Sequence, residues 1–181
     1  RWYHIFRQAG FEVGWLSCDN LAAGHTELPS HDSLIVLPSL YMLSQETAAR
    51  LADWTRAGGR LLVVAGTGSR CPNTFVNEQP PGKALAELLG LTEAPYRWSS
   101  EAQARLSLQI GTESQTGPVW PLAVARVQVG RAPQVIATWP DGSPAALATA
   151  PGQIHDAPLA HARADSAGRA VWLGAALDVD D

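Results

Sequence analysis

The stretch from His31 to Gly66, HDSLIVLPSLYMLSQETAARLADWTRAGGRLLVVAG, constrains the fold more than any other part of the sequence. Leu34-Ile35-Val36-Leu37 is a short apolar run of the kind a parallel sheet buries on both faces. Pro38 ends it, and Ser44 stands where a helix N-cap belongs. Glu46 falls in the first turn, where a negative charge suits the helix dipole. Ala48, Leu51 and Ala52 form an apolar stripe with Trp54 on its flank. Gly58-Gly59 supplies a left-handed stop, and Leu61-Leu62-Val63-Val64 is a second buried strand. Strand, helix and strand in this order make a βαβ unit, which calls for a parallel sheet. Enzymes on such sheets place their chemistry in the loops after the strands. Here those loops carry no evident catalytic set.

On either side of this unit the pattern differs. Trp2, Ile5, Phe6 and Ala9 have helical spacing, and Gly10 stops the helix. Phe11, Val13 and Trp15 then alternate with Glu12 and Gly14, which predicts a strand. Residues 17–30 read as a polar loop. Gly66 to Gly82 is a long loop rich in Gly, Pro and Asn, and long loops in compact domains are often functional. Lys83 to Leu89 predicts a short helix stopped by Gly90. Beyond about residue 95 the grammar turns to strands: Arg105–Ile110, Leu122–Val129, Gln134–Trp139, Ala145–Thr149 and Arg169–Leu173, with turn signals at Asp141-Gly142 and Gly168. The expectation is one domain over 1–181, with an α/β half over 1–95 and a β-rich half over 96–181. An open α/β sheet ordinarily begins with a central strand. Because the first element here is a helix, the first strand is expected upstream of Arg1, and the chain is expected to be a fragment of a larger protein.

Composition narrows the functional classes. A chain of 181 residues can bury a sizeable core. Its net charge of −4, with no cluster of Lys and Arg, gives no support to nucleic acid as a partner. No apolar run is long enough to span a bilayer. Two cysteines, Cys18 and Cys71, make no disulfide framework and suggest a reducing, cytoplasmic compartment. Seven tryptophans are many for this length, and in a piece of an assembly some would lie at interfaces.

The order of motifs resembles the middle, trimerisation domain of the family 42 glycoside hydrolases, the bacterial β-galactosidases. The matching residues run from Ala9-Gly10 and Phe11-Glu12-Val13 through Leu34 to Leu43, Leu51 and Ala57-Gly58-Gly59-Arg60-Leu61 to Gly68-Ser69. Pro81-Gly82, Leu85, Leu88-Leu89-Gly90-Leu91, Asp141 to Ala145 and Gly168 to Gly174 complete the set. The resemblance implies a flavodoxin-like, class I glutamine-amidotransferase-like α/β fold. It also implies a non-catalytic role in assembly, with self-association in a trimer and packing against the parent's (β/α)8 barrel. That barrel would hold the catalytic glutamates, so contact with galactoside would be at most indirect. Where the family carries acidic residues after the second strand, this chain has Arg70-Cys71-Pro72-Asn73-Thr74.

An amidotransferase-like fold makes Cys71 the first nucleophile to test. Such a nucleophile needs a tight elbow of small residues directly after a strand, and a histidine to activate it. Cys71 lies several residues past the strand and before Pro72, and neither His155 nor His161 begins a His-x-Glu pair. Cys18 reads as a small buried hydrophobe. His4, His25, His31, His155 and His161 are scattered, and none pairs with another ligand at metal-site spacing. His155-Asp156 reads as surface loop. Thr67-Gly68-Ser69 could cradle an anion through backbone N–H groups but lacks the lysine and helix of a P-loop, so a turn is expected. Glu78, Glu87, Glu93, Glu101 and Glu113 offer no facing pair for glycoside cleavage, and Asp178, Asp180 and Asp181 read as a solvated run. No catalytic, cofactor-binding or metal-binding residue is therefore assigned, and no cofactor is expected. Two other readings remain at this point. One is an amidotransferase-like enzyme; the other is a carbohydrate-binding module stacking sugars on Trp98, Trp120 or Trp139.

Overall fold

The computed structural model of the chain describes residues 2–93, 96–97, 104–110, 113–119, 124–125, 128–129, 134–138, 144–149 and 169–173. In chain order the elements are α1 (Trp2–Gln8), α2 (Cys18–Ala22), β1 (Leu34–Leu37), α3 (Gln45–Arg56), β2 (Arg60–Val64) and α4 (Lys83–Leu89). They continue with β3 (Leu91–Glu93), β4 (Tyr96–Arg97), β5 (Ala104–Ile110), β6 (Glu113–Val119), β7 (Val124–Ala125) and β8 (Gln128–Val129). The last three are β9 (Gln134–Thr138), β10 (Pro144–Ala148) and β11 (Arg169–Leu173).

The βαβ unit forms as its residues dictate. Ser44 is extended, and its Oγ accepts a hydrogen bond from the Thr47 amide at 3.1 Å, opening α3. The Glu46 backbone N–H and then the Ser44 hydroxyl favour the carboxylate of Glu46 and lower its pKa. At the other end the two glycines do different work. Gly58 adopts a left-handed φ of 118°, turning the chain out of the helix. At Gly59 the constraint is space: a Cβ there would lie 2.6 Å from Cε2 of the Trp54 ring. Trp54 is buried rather than flanking, and its indole Nε1 donates to the Pro29 carbonyl at 2.9 Å.

One continuous sheet has the order β1-β2-β11-β10-β9-β5-β6. β1, β2 and β11 are parallel, with Ile35 beside Leu61 and Leu61 beside Ala170. The remaining neighbours are antiparallel, and β5 and β6 form a hairpin ladder from Ala104↔Val119 to Ile110↔Glu113. The late strand β11 is inserted beside β2, so strands from both expected halves share this sheet. Two short ladders, β3 with β8 and β4 with β7, stand apart from it. The core lies between the parallel strands and the helices α2, α3 and α4. Ile35, Leu37, Leu61, Val63, Ala170 and Trp172 meet Leu21, Ala48, Leu51, Leu85 and Leu89 there. Trp172 is 0% exposed and is among the largest fully buried side chains of the described core.

Several expectations are corrected. Residues 11–15 form no strand despite their alternation, and Phe11 and Trp15 stand 59% and 82% exposed. A strand needs a backbone partner as well as a pattern, and none of the described strands pairs with these residues. The expected loop 17–30 contains α2, capped by Ser17, whose Oγ accepts from the Asn20 amide. β1 is not buried on both faces: Ile35 and Leu37 are buried, Val36 is half-buried and Leu34 is exposed. β6 was hidden by its polar sequence ESQTGPV, which suits a sheet edge. The single strand expected over 122–129 is instead β7 and β8, in separate ladders. The turn signals at Asp141-Gly142 and Gly168 lie outside the described residues.

Candidate functional site

In an open α/β sheet the natural place for a site is the carboxyl end of the parallel strands. Here that end is formed by the segment after β1, from Pro38 to Ser44, and the segment after β2, from Ala65 to Gly82. Thr67 ties them together. It is fully buried, and its hydroxyl donates to the Leu37 carbonyl at 3.1 Å while accepting from the Leu40 amide at 3.2 Å. Backbone bonds continue outward: Gly68 N–H to Leu40 O, Arg70 N–H to Tyr41 O, and Leu43 N–H to Arg70 O. A third segment joins through Asn77 N–H to Ser69 O and Cys71 N–H to Phe75 O. Three short segments are thereby zipped into a platform over the strand ends.

Close packing holds the platform down. Gly68 has a φ of 63°, and a Cβ there would lie 2.8 Å from the Cα of Pro81. Asn77 is buried. Its Oδ1 accepts from Gln45 Nε2 and from the Gln79 amide, both at 3.3 Å. Gln45 Oε1 in turn accepts from the Lys83 amide, so α3, the platform and α4 are cross-linked. The Asn77 Nδ2 group has no partner among the described residues. On the outer side Arg70 lies over the Tyr41 ring, and its Nε donates to the Tyr41 hydroxyl at 3.1 Å. A second guanidinium nitrogen donates to the Thr74 carbonyl at 2.9 Å. Around that arginine the platform presents Tyr41, Met42, Phe75 and Val76 to solvent, the last two 71% and 67% exposed.

The residues singled out from the sequence take ordinary places. The turn Thr67-Gly68-Ser69 uses its own N–H groups on Val64, Leu40 and Gly66 carbonyls, so none is aimed at an anion. Directly after β2 the left-handed position is Gly66, with a φ of 90°, which offers no nucleophile. Cys71 lies farther on, half-buried in the turn closed by Thr74 and Phe75. Cys18 opens α2, and burial, helped by the neighbouring Asp19 charge, raises its thiol pKa. His4 packs edge-on to Tyr3, and His31 tilts against Trp54. Glu78 and Glu87 are exposed, Glu93 ends β3 and Glu113 opens β6. Among the described residues no three His, Cys, Asp or Glu side chains come together as a metal site. Trp98, Trp120, Trp139, Glu101, His155, Asp156, His161, Asp178, Asp180 and Asp181 lie outside the described residues. Sequence reasoning missed the platform itself. Its only signal was Phe75-Val76, an apolar pair inside a Gly-, Pro- and Asn-rich loop.

Comparisons with known proteins agree with this architecture. The family model described as Beta-galactosidase trimerisation domain matches residues 1–177. No curated protein matches in sequence. Among solved structures, a cold-adapted β-galactosidase from Rahnella sp. R3 has a TM-score of 0.60 and 19% identity, over 80% of this chain and 20% of that one. The exo-β-1,4-mannosidase Op5Man5 from an Opitutaceae bacterium has a TM-score of 0.59 and 19% identity, over 96% of this chain and 25% of its own. A cytoplasmic protein from Salmonella typhimurium has a TM-score of 0.62 at 12% identity, over 96% of this chain and 73% of its own. At these identities the structural likenesses show the fold. The chain spans about one fifth of the length of the Rahnella enzyme. No described helix is long and apolar enough to cross a membrane. With the family model covering nearly every residue, the chain belongs to the family of β-galactosidase trimerisation domains.

Proposed function

We propose that the chain is the assembly domain of a β-galactosidase-like glycoside hydrolase. It holds a trimer together and takes no part in bond cleavage itself. The observation that carries this reading is the platform. Its three segments are held together by backbone hydrogen bonds, and it presents Tyr41, Met42, Phe75 and Val76 to solvent. A cluster of large apolar side chains at the surface suits burial against protein better than capture of a polar sugar. In this reading the platform packs against a neighbouring protomer, the domain also meets the parent's barrel domain, and any contact with galactoside is indirect. Residues 1–181 act as one unit, because strands from both halves share one sheet. Cys18 and Cys71 are free thiols, which supports a cytoplasmic setting.

The test is the absolute mass in solution of the intact polypeptide that carries the domain, measured by light scattering across a concentration series. A trimer is expected, and the exposed double substitution Phe75→Asp with Val76→Asp is expected to shift it toward monomer. Circular dichroism of the variant checks that the fold is kept. A monomer at every concentration, or a trimer indifferent to the double substitution, overturns the assignment of the platform.

A further inference from the structure

The platform carries a positive charge at its centre. Arg70 is the residue about which its three segments pair, with a backbone bridge to Met42 on one side and to Val76 on the other. Tyr41 and Phe75 are the sequence neighbours of those two residues. The half-buried arginine therefore stands inside the exposed group Tyr41, Met42, Phe75 and Val76. Its guanidinium is held from two directions. The central carbon lies 5.9 Å from the centroid of the Tyr41 ring, and Nε donates to the Tyr41 hydroxyl. One Nη nitrogen donates to the Thr74 carbonyl. A planar fork fixed in this way loses little freedom when it takes a further acceptor.

Among the described residues this charge is unanswered. The ion pair found there joins Arg56 to Asp53 on α3, and no described carboxylate lies within ion-pair distance of Arg70. Glu78, the acidic residue that follows the third segment, is exposed and forms no ion pair with a described residue. The Glu46 carboxylate is engaged by its own backbone N–H and the Ser44 hydroxyl. A guanidinium has several N–H donors and no acceptor. Tyr41 and Thr74 occupy two of those donors with neutral oxygens. In water the remaining donors are solvated. Under an apolar protein surface they would be stripped of water beside an uncompensated charge, which is strongly destabilising. Burying the four apolar side chains and keeping the cation satisfied are compatible only when the covering surface brings a negative group. A second copy of the chain has such groups in excess, with 17 Asp and Glu against 13 Lys and Arg.

We infer that Arg70 is the charged anchor of the platform and takes a carboxylate, from an Asp or Glu set among apolar residues, on the neighbouring protomer. The inference rests on the assembly reading and sharpens it by naming the chemistry of the partner surface. The carboxylate meets the open end of the guanidinium fork, where a charge-assisted bond is stronger than one between neutral groups. Tyr41, Met42, Phe75 and Val76 surround the pair and exclude water from it, the arrangement in which an interfacial arginine contributes most. A carboxylate of the same subunit would satisfy Arg70 without joining two copies, and the experiment separates the two cases.

The test is sedimentation of the intact polypeptide across a concentration series, for the natural chain and for Arg70→Lys, Arg70→Gln and Arg70→Glu. Arg70→Gln should raise the concentration at which the trimer half-dissociates by about tenfold or more, and Arg70→Glu by about tenfold beyond that, because it sets like charges together. Arg70→Lys, which keeps the charge but not the fork, should recover most of the loss. Added salt should weaken the natural trimer and strengthen that of Arg70→Glu, since it screens attraction in one and repulsion in the other. Circular dichroism checks that each variant folds, and the comparison of Lys with Gln decides the matter if Arg70→Glu does not. Lys no better than Gln, with Glu no worse, means that the arginine only ties the platform segments together and overturns the inference. A trimer indifferent to every Arg70 variant but broken by Phe75→Asp with Val76→Asp also overturns it, while the assembly reading stands. Indifference to the double substitution as well removes the platform from the interface, and both readings fall.

Discussion

Residues 2–16 and residues 34–91 are both rich in large apolar side chains, yet only the second region makes a core. In the second, every apolar stripe is backed by a paired backbone. Ile35 and Leu37 sit on a strand bonded to β2, and Ala48, Leu51 and Ala52 sit on a helix with a side-chain cap. In the first, α1 is closed properly: Gly10 takes a φ of 85°, and the Phe11 amide reaches back to the Phe6 carbonyl at 2.9 Å. Even so, among the described residues its aromatic rings touch one another and none is buried. Hydrophobic content sets what a segment could bury. Whether it does so depends on a partner that also completes the hydrogen bonds.

Substitutions can break or sharpen this contrast. The largest effect is expected at Trp172, which is fully buried between β2 and β10 and touches the core built on α3 and α4. Trp172→Ala should cost about 3–5 kcal/mol in urea unfolding, the range for removing a buried aromatic. A cost below about 1 kcal/mol would mean that the parallel sheet is not the stabilising centre. Gly68→Ala comes next. It adds a strained left-handed alanine and a collision with the Pro81 backbone, which cannot rotate away as a side chain would. About 2–4 kcal/mol is expected from the two penalties together, read as a lowered unfolding midpoint. Thr67→Val keeps the shape but removes the hydroxyl bridging the Leu37 carbonyl and the Leu40 amide. The Leu37 carbonyl keeps the Ser39 amide, so the loss falls on the Leu40 amide and should cost about 1–3 kcal/mol. Exchange should quicken at residues 39–43 before any other part of the core.

These positions also show what the sequence discloses and what it withholds. The βαβ unit was legible because its signals are local: an apolar run, a serine cap, a stripe at helical spacing and a glycine stop. The resemblance to the trimerisation domain family was legible for the same reason, since its motifs sit on those elements in order. Three things were not. Thr67 reads as a turn residue, and nothing nearby in sequence shows that its hydroxyl reaches Leu37, thirty residues back. Gly59 reads as half of a helix stop, whereas its role is to leave room for Trp54. β6 is too polar to announce a strand, because an edge strand needs little burial and is held by its ladder with β5. Long-range partners decide all three. The false strand at residues 11–15 is the same lesson reversed: the pattern is present, and none of the described strands pairs with it.

The smallest expected effect is the sharpest test of the contrast. Trp15 is 82% exposed, and its stacking partner Tyr3 is itself exposed. In residues 1–181, Trp15→Ala should change stability by no more than about 0.5 kcal/mol, as for other surface positions. The same chemical deletion at Trp172 should cost several times more, so size and aromaticity cancel in the comparison and only the surroundings differ. A loss above about 2 kcal/mol at Trp15 would be in the range of core truncations. Residues 2–16 would then contribute to the core, and the difference between the two regions would be one of degree. A loss near zero would place the whole of that aromatic cluster outside the cooperative unit.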